Sequence, residues 1–349
     1  MNEHGYTGSP ERTHATALTP AELARILGSS AHIAPALRAI HEGKGVLALP
    51  ERVEGISSSG WKRILEEHPL PRHELLGRHQ SSDGTMRLLV SLEGAKCETV
   101  IIPSSARTTI CVSSQAGCTR ACRFCATAGL PFARNLHAGE IVLQVLLARL
   151  EAENSGFTKP ENVVFMGMGE PLDNLDEVVR SIEVLTAAPA PGIAPRRITV
   201  STSGVLGAIK AFATRSPAEL ALSLHATRDE DRERLVPHGK ASPLRDLLAE
   251  AAEALSPSSR LLFVEYLLIG GVNDKAEDAF RLAELLRDIP CRVNLIPYNP
   301  VPDLPWAEPD EGAVPRFMSV LSKAGIRTLP RTPRGRDVGA ACGQLAGSP

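Results

Sequence analysis

The sequence has little net charge, no long apolar run and no cysteine pattern suited to disulfides, and each shortage narrows what the protein can be. With 38 Lys and Arg against 40 Asp and Glu the formal charge is −2, so any affinity for nucleic acid must come from local clusters of Arg and Lys. No stretch approaches the roughly 18 consecutive apolar residues of a membrane span. The opening residues MNEHGYTGSPERTHATALTP contain no apolar stretch of a secretory signal. The expectation is a cytoplasmic protein without membrane attachment. Seven cysteines, an odd number with four of them between positions 111 and 125, are unsuited to a secreted disulfide framework. In a reducing compartment clustered thiols serve a metal or redox chemistry, whereas isolated ones such as Cys97 and Cys291 read as buried small hydrophobes. What is present is a 43 % hydrophobic content over 349 residues, enough for one large domain and a small one.

Residues 1–17 are polar, with Gly, Pro, Ser and Thr frequent, and read as a mobile tail. TPAELARILG from Thr19 and the later SSSGWKRILEEH combine a capping Ser or Thr with apolar residues at helical spacing, which predicts a small helical accessory domain over 18–80. RLLVSLEG and ETVIIP alternate apolar and polar positions, as an antiparallel pair would in a connecting β segment over 81–107. From Thr108 strand-like runs alternate with helical ones. TTICVS precedes AGEIVLQVLLARLEAE, NVVFMGM precedes LDEVVRSIEVL, and RRITVSTS precedes GVLGAIKAFA. ELALSLH, LLFVEYLLI and VNLIPY are each followed in the same way by an amphipathic run. About six such units over 108–349 call for an α/β fold with a parallel sheet covered by helices, either open or closed into a barrel. In both arrangements the chemistry belongs at the carboxyl ends of the strands.

The first of those ends carries CVSSQAGCTRACRFCATAG, in which Cys118, Cys122 and Cys125 have the spacing C-x3-C-x2-C and Phe124 precedes the last. A loop this short can bring three sulfurs around one centre. Three thiolates hold three irons of a four-iron cluster and leave the fourth open to bind substrate, whereas electron-transfer clusters normally take four cysteines. A structural zinc would also need a fourth ligand, from Cys111 or His137, because the chain contains no second paired-cysteine knuckle.

An aromatic before the last Cys of C-x3-C-x2-C, in the loop after a first barrel strand, resembles the radical S-adenosylmethionine (SAM) superfamily. CVSSQAGC, GMGEPLDN, ITVSTSGV, ALSLHA, NLIPYNP and RGRDVGAACGQLAG, in that order, resemble more narrowly the RlmN/Cfr family of RNA adenosine methyltransferases, from about Ser81 to Gly347. The resemblance implies a partial (βα)6 barrel, one 4Fe-4S cluster on Cys118, Cys122 and Cys125, and two SAM molecules per turnover. One gives its methyl group to a cysteine sulfur, the place that Cys342 occupies; the second is cleaved to a radical that takes hydrogen from that methyl group. Cys111 stands where the resolving thiol of a transient disulfide would, and Glu98 where the family has its proposed proton acceptor. Gly169 and Glu170 with Met168, then Ser201, Ser223, Leu224, His225 and Asn299, match the SAM contacts, His225 as a cofactor contact and not an acid or base. The implied substrate is an adenine carbon, carbon 2 before carbon 8, in 23S rRNA, tRNA or both. An electron-donor protein is the other implied partner, and the chain is expected to act as a monomer. Arg196 and Arg197, and Arg327, Arg331, Arg334 and Arg336, are local candidates for phosphate contact. One departure stands out. The family's N-terminal region is rich in aromatics, whereas here Trp61 is alone between Tyr6 and Phe124.

Overall fold

The computed structural model describes residues 13–42, 47–237, 242–258 and 260–347. Residues 1–12 of the expected tail lie outside this set. From Thr13 the chain is packed, not a tail: the turn Ala15–Ala17 is buried, and Thr16 Oγ1 donates to the Gly139 carbonyl at 2.9 Å.

Helix α1 (Pro20–Leu27) starts where the sequence expects it, since Thr19 Oγ1 accepts the Glu22 N–H and the Glu22 carboxylate accepts the Thr19 N–H. Helices α2 (Ile33–His41) and α3 (Ser58–Glu67) complete the unit, and their apolar stripes meet around Leu23, Leu37, Ile40, Trp61 and Ile64. The helical unit ends at Glu67, not at residue 80. His73–Gln80 is strand β1, paired antiparallel with β2 (Met86–Leu92), which pairs antiparallel with β3 (Ala95–Ile102). HELLGRHQ lies on the sheet edge with most of both faces half-buried or exposed, so it lacks the alternation that marks a strand with one face covered.

Strand β3 pairs antiparallel with β4 (Thr108–Cys111), and the loop after β4 contains a short ribbon of β5 (Gln115–Ala116) and β6 (Arg134–Asn135). Parallel strands follow in chain order: β7 (Pro160–Phe165), β8 (Ile198–Thr202), β9 (Glu219–Ser223), β10 (Leu262–Leu268), β11 (Cys291–Pro297) and β12 (Arg327–Pro330). All but the ribbon form one ten-stranded sheet whose edges are β1 and β12, an open partial barrel. Helices α4 (Ala138–Asn154), α5 (Leu175–Thr186), α6 (Ala208–Arg215), α7 (Asp229–Leu235), α8 (Leu244–Leu255), α9 (Ala276–Leu285) and α10 (Ala313–Lys323) connect the parallel strands. The sequence reading missed α7, whose DEDRERL has no apolar stripe; acids in its first turn and Arg in its last suit the helix dipole. Helix α4 is apolar on nearly every side because it runs between the sheet and the N-terminal unit. Among the described residues, no helix is long and apolar enough to cross a membrane.

Candidate active site

The carboxyl ends of the parallel strands open on two adjoining cavities, of about 170 and 230 Å³. Cys118, Cys122 and Cys125 line the first; Cys111 and Asn299 line the second; Cys125, Glu265 and Cys342 line both.

The cysteine loop takes its shape from contacts on both sides. The Ser114 and Gln115 N–H groups donate to the Met168 carbonyl at the end of the neighbouring strand. Gly117 has φ +81°, and a Cβ there would lie 2.4 Å from the Pro131 oxygen, so only glycine fits the turn that delivers Cys118. Farther along, Arg120 and Thr119 Oγ1 bind the Asp173 carboxylate, and Trp306 Nε1 donates to the Arg123 carbonyl at 2.7 Å. All three thiols are free. Burial raises each of them, Cys118 to about 11, and the charges of Cys125 and Cys118 raise Cys122 further. Three thiols that repel one another's ionisation on one cavity wall are a donor set that a polycationic centre would satisfy. Among the described residues, no three His, Cys, Asp or Glu close around a single ion, so the fit rests on the shared cavity and on this electrostatics. The two residues offered as a fourth zinc ligand lie elsewhere: Cys111 opens on the second cavity, and His137 sits at the amino end of α4.

The remaining wall of the first cavity comes from successive strand ends. Gly169 has φ +102° and a Cβ there would meet the Gln115 side chain at 2.6 Å, so glycine lets the backbone close on the cysteine loop. The Glu170 carboxylate accepts from the Leu172 N–H and from both the N–H and Oγ of Ser203, and its own N–H donates to Gln115 Oε1. Ser201 and Ser223 face each other at 3.1 Å between hydroxyls. His225 has φ +58°, its Nδ1 accepts the Leu267 N–H at 3.1 Å, and its ring stands edge-on to Phe124 at 5.0 Å. Burial, then the Arg232 guanidinium, pull the imidazole down to about 3. It is therefore neutral at physiological pH with its hydrogen on Nε2, a donor and not an acid–base group.

Two expected contacts are placed differently. Leu224 is fully buried and does not line the cavity; its carbonyl is held by Arg232 at 2.5 Å. Asn299 fixes the C-terminal loop instead, donating from Nδ2 to the Cys342 carbonyl at 3.2 Å and accepting from Arg336 Nε at 2.8 Å. Around it the loop is tied to the cysteine segment, since the Ala126 N–H donates to the Gly343 carbonyl at 2.7 Å and Thr127 Oγ1 to that of Leu345 at 2.7 Å. Asp337 binds Ser81 Oγ, and Asp83 binds the Gly335 N–H, which anchors the other end.

Cys342 is open to the cavities, while burial and then the Glu265 carboxylate raise its thiol. Cys111 is buried, raised by burial and then by Cys342, and opens on the same cavity. Glu98 is not brought to either cavity. It is fully buried on β3 and paired with Arg87, one oxygen accepting the guanidinium and Oε2 without a partner. Arg196 and Arg197 precede β8, at the opposite end from Ser201, and Arg197 pairs with Glu161. Arg334 and Arg336 hold the loop through the Pro103 carbonyl, Asn299 and Glu308; Arg327 and Arg331 are exposed. Sequence reasoning overlooked Arg232, whose guanidinium gathers the carbonyls of Ser203, Ser223 and Leu224, and Glu265. Neither has a local signal: an Arg in DEDRERL reads as a solvated charge, and a Glu in LLFVEYLLI as a lone polar residue in a strand.

Residues 112–283 match the model of the radical SAM superfamily. The chain is 40 % identical to a dual-specificity RNA methyltransferase RlmN of Phenylobacterium zucineum, over 97 % of this chain and 91 % of that protein. It is 46 % identical to a probable RNA methyltransferase of Sorangium cellulosum, over 84 % and 74 %. Among solved structures it resembles a radical SAM methyltransferase from Sphaerobacter thermophilus, with a TM-score of 0.88 and 35 % identity over 96 % of this chain and all of that one.

Proposed function

The chain belongs to the RlmN family of the radical SAM superfamily, and we propose that it methylates a ring carbon of adenine in RNA, carbon 2 before carbon 8, in 23S rRNA, tRNA or both. The observation that carries this reading is the second cavity, where two thiols outside the cysteine triad, Cys111 and Cys342, face one space that adjoins the triad.

Cys118, Cys122 and Cys125 would hold a 4Fe-4S cluster, and Gly169, Glu170, Ser201, Ser223 and His225 offer a carboxylate, hydroxyls and an N–H to SAM. When bound, the cluster supplies the electron that cleaves SAM reductively to the radical that takes hydrogen from a methyl group. Cys342 carries that methyl group, received from a first SAM. Its carbon, once a hydrogen atom is lost, bonds to the adenine, and the unpaired electron left on that adduct would return to the oxidised cluster. The ring carbon must also give up a proton; the expected acceptor, Glu98, is on the same face of β3 as Val100, which lines the second cavity, but is itself buried against Arg87 outside that cavity. Cys111 then bonds to the Cys342 sulfur, releasing the base with its new methyl group and leaving a disulfide that an external reductant must open. Arg331, exposed just past the carboxyl end of β12 and lining the second cavity, is placed to meet phosphate, whereas Arg327 stands at the amino end of that strand. A target adenine reaches this depth only unstacked.

Replacing Cys342 by Ala tests the assignment. Reductive cleavage of SAM should persist while methylated adenosine falls below detection. Product formed at the rate of the unaltered protein would refute the two-cysteine reading.

A further inference from the structure

Glu265 is unexplained by the roles above. It sits on β10 in register with Ser223 on β9 and Asn294 on β11, at the wall common to both cavities, and is only 3 % exposed. Asn294 Nδ2 donates to Oε1 at 2.7 Å and Arg331 Nη2 stands 3.9 Å from the same oxygen, while Oε2 has no partner. A carboxylate buried with half its acceptors unmet is costly unless a ligand or a proton completes it. The thiol of Cys342 opens on that shared space. In the reading above this thiol must attack the sulfonium methyl group of SAM, yet its surroundings keep it protonated. The charged and titratable groups that bear on it are Glu265, Arg331, Cys125 and Cys111, and among these Glu265 is the carboxylate with a free oxygen.

We propose that Glu265 is the general base for methylation of Cys342, its Oε2 taking the thiol proton directly or through one water. The S–H bond of Cys342 and the methyl–sulfur bond of SAM break, and the Cys342 sulfur–methyl bond forms with the thiol's electron pair. The sulfonium's bonding pair stays with the departing S-adenosylhomocysteine, and the proton ends on the carboxyl group. Asn294 and Arg331 are positioning residues in this step, holding Oε1 and leaving Oε2 free to accept the thiol proton. Burial raises the Glu265 carboxyl, which brings it closer to a thiol as a proton acceptor. The inference rests on Cys342 being the methyl carrier.

The test uses the whole protein with its cluster reconstituted without oxygen, SAM labelled in the methyl group, and no RNA. Methyl incorporation on Cys342 is followed by mass spectrometry in the unaltered protein and in Glu265→Gln and Glu265→Asp. The rate of Cys342 alkylation by iodoacetamide is measured on the same proteins without SAM, and equilibrium SAM binding alongside. For Glu265→Gln we expect methylation to slow by about 100-fold or more at neutral pH and to recover as pH rises. Alkylation should be as fast as before or faster, because a negative charge that opposes the thiolate is gone. Glu265→Asp should restore part of the methylation rate. Methylation within about twofold of the unaltered protein, a parallel fall in methylation and alkylation, or normal methylation once SAM is raised to saturation would each overturn the assignment. An unaltered protein that places no methyl group on Cys342 would overturn the parent reading and this base with it.

Discussion

His225 and His41 are both buried without a carboxylate partner, and burial lowers both, to about 3 and about 4. An unfolded histidine titrates near 6.5, so as pH falls below that value the unfolded chain binds protons that the folded one refuses. The stability these groups contribute is therefore complete above about pH 6.5 and is lost as pH falls toward their folded values. We expect the urea midpoint to drop between about pH 7.5 and 5.5, and His41→Gln, remote from the cavities, to remove part of that drop; an unchanged pH slope in the variant would show that His41 is not held neutral. The same neutrality bears on function, because His225 should produce no inflection in a pH–rate profile near 6.5. Residues whose chemistry depends on close spacing in the chain were legible beforehand. The cysteine triad and the Gly169–Glu170 pair are of this kind. Arg232 and Glu265 were not, since what each one does is set by strand ends that meet only in the folded sheet.

At the scale of elements, the loop carrying Cys342 is held mainly by polar contacts, with Ala340 and Leu345 anchored in the apolar core. Asn299 supplies two of those polar contacts. Its replacement by Ala should free about 1–3 kcal/mol of local restraint, roughly a 5- to 150-fold rise in the open-loop population. Hydrogen exchange at Ala340 and Gln344, whose N–H groups donate to Gly335 and Ala341, should speed up accordingly while the sheet amides stay unchanged. Equal protection in the variant would mean that the loop is held by other groups. Strand-like runs alternating with helical ones made six of the seven parallel strands, β4 and β7 to β11, readable while β12 went unread, and the capping signal at Thr19 placed α1. The edge strand β1 and the charged helix α7 escaped notice because neither buries a regular stripe. Asn299, expected as a cofactor contact, lines the second cavity and also steadies the loop; NLIPYNP says where the asparagine stands, but its partner, the Cys342 loop, lies more than forty residues along the chain.

For the whole molecule the charge of −2 leaves RNA affinity to a few exposed side chains. Arg331 is exposed and lines the second cavity, whereas Arg334 and Arg336 are engaged in the loop and Arg327 lies at the amino end of β12. Replacing Arg331 by Ala should weaken RNA binding several-fold and flatten its salt dependence by about one unit of slope. Unaltered affinity would move the phosphate contacts to another face. The arrangement of two thiols beside a three-cysteine wall at the end of an open parallel sheet bears on one reaction above all. The most direct measurement is mass spectrometry of nucleosides from unmodified ribosomal and transfer RNA, incubated without oxygen with the reconstituted protein, SAM and a reductant. The account predicts adenosine carrying one new methyl group on carbon 2, with carbon 8 as the lesser outcome. Deoxyadenosine released without any methylated adenosine would contradict it.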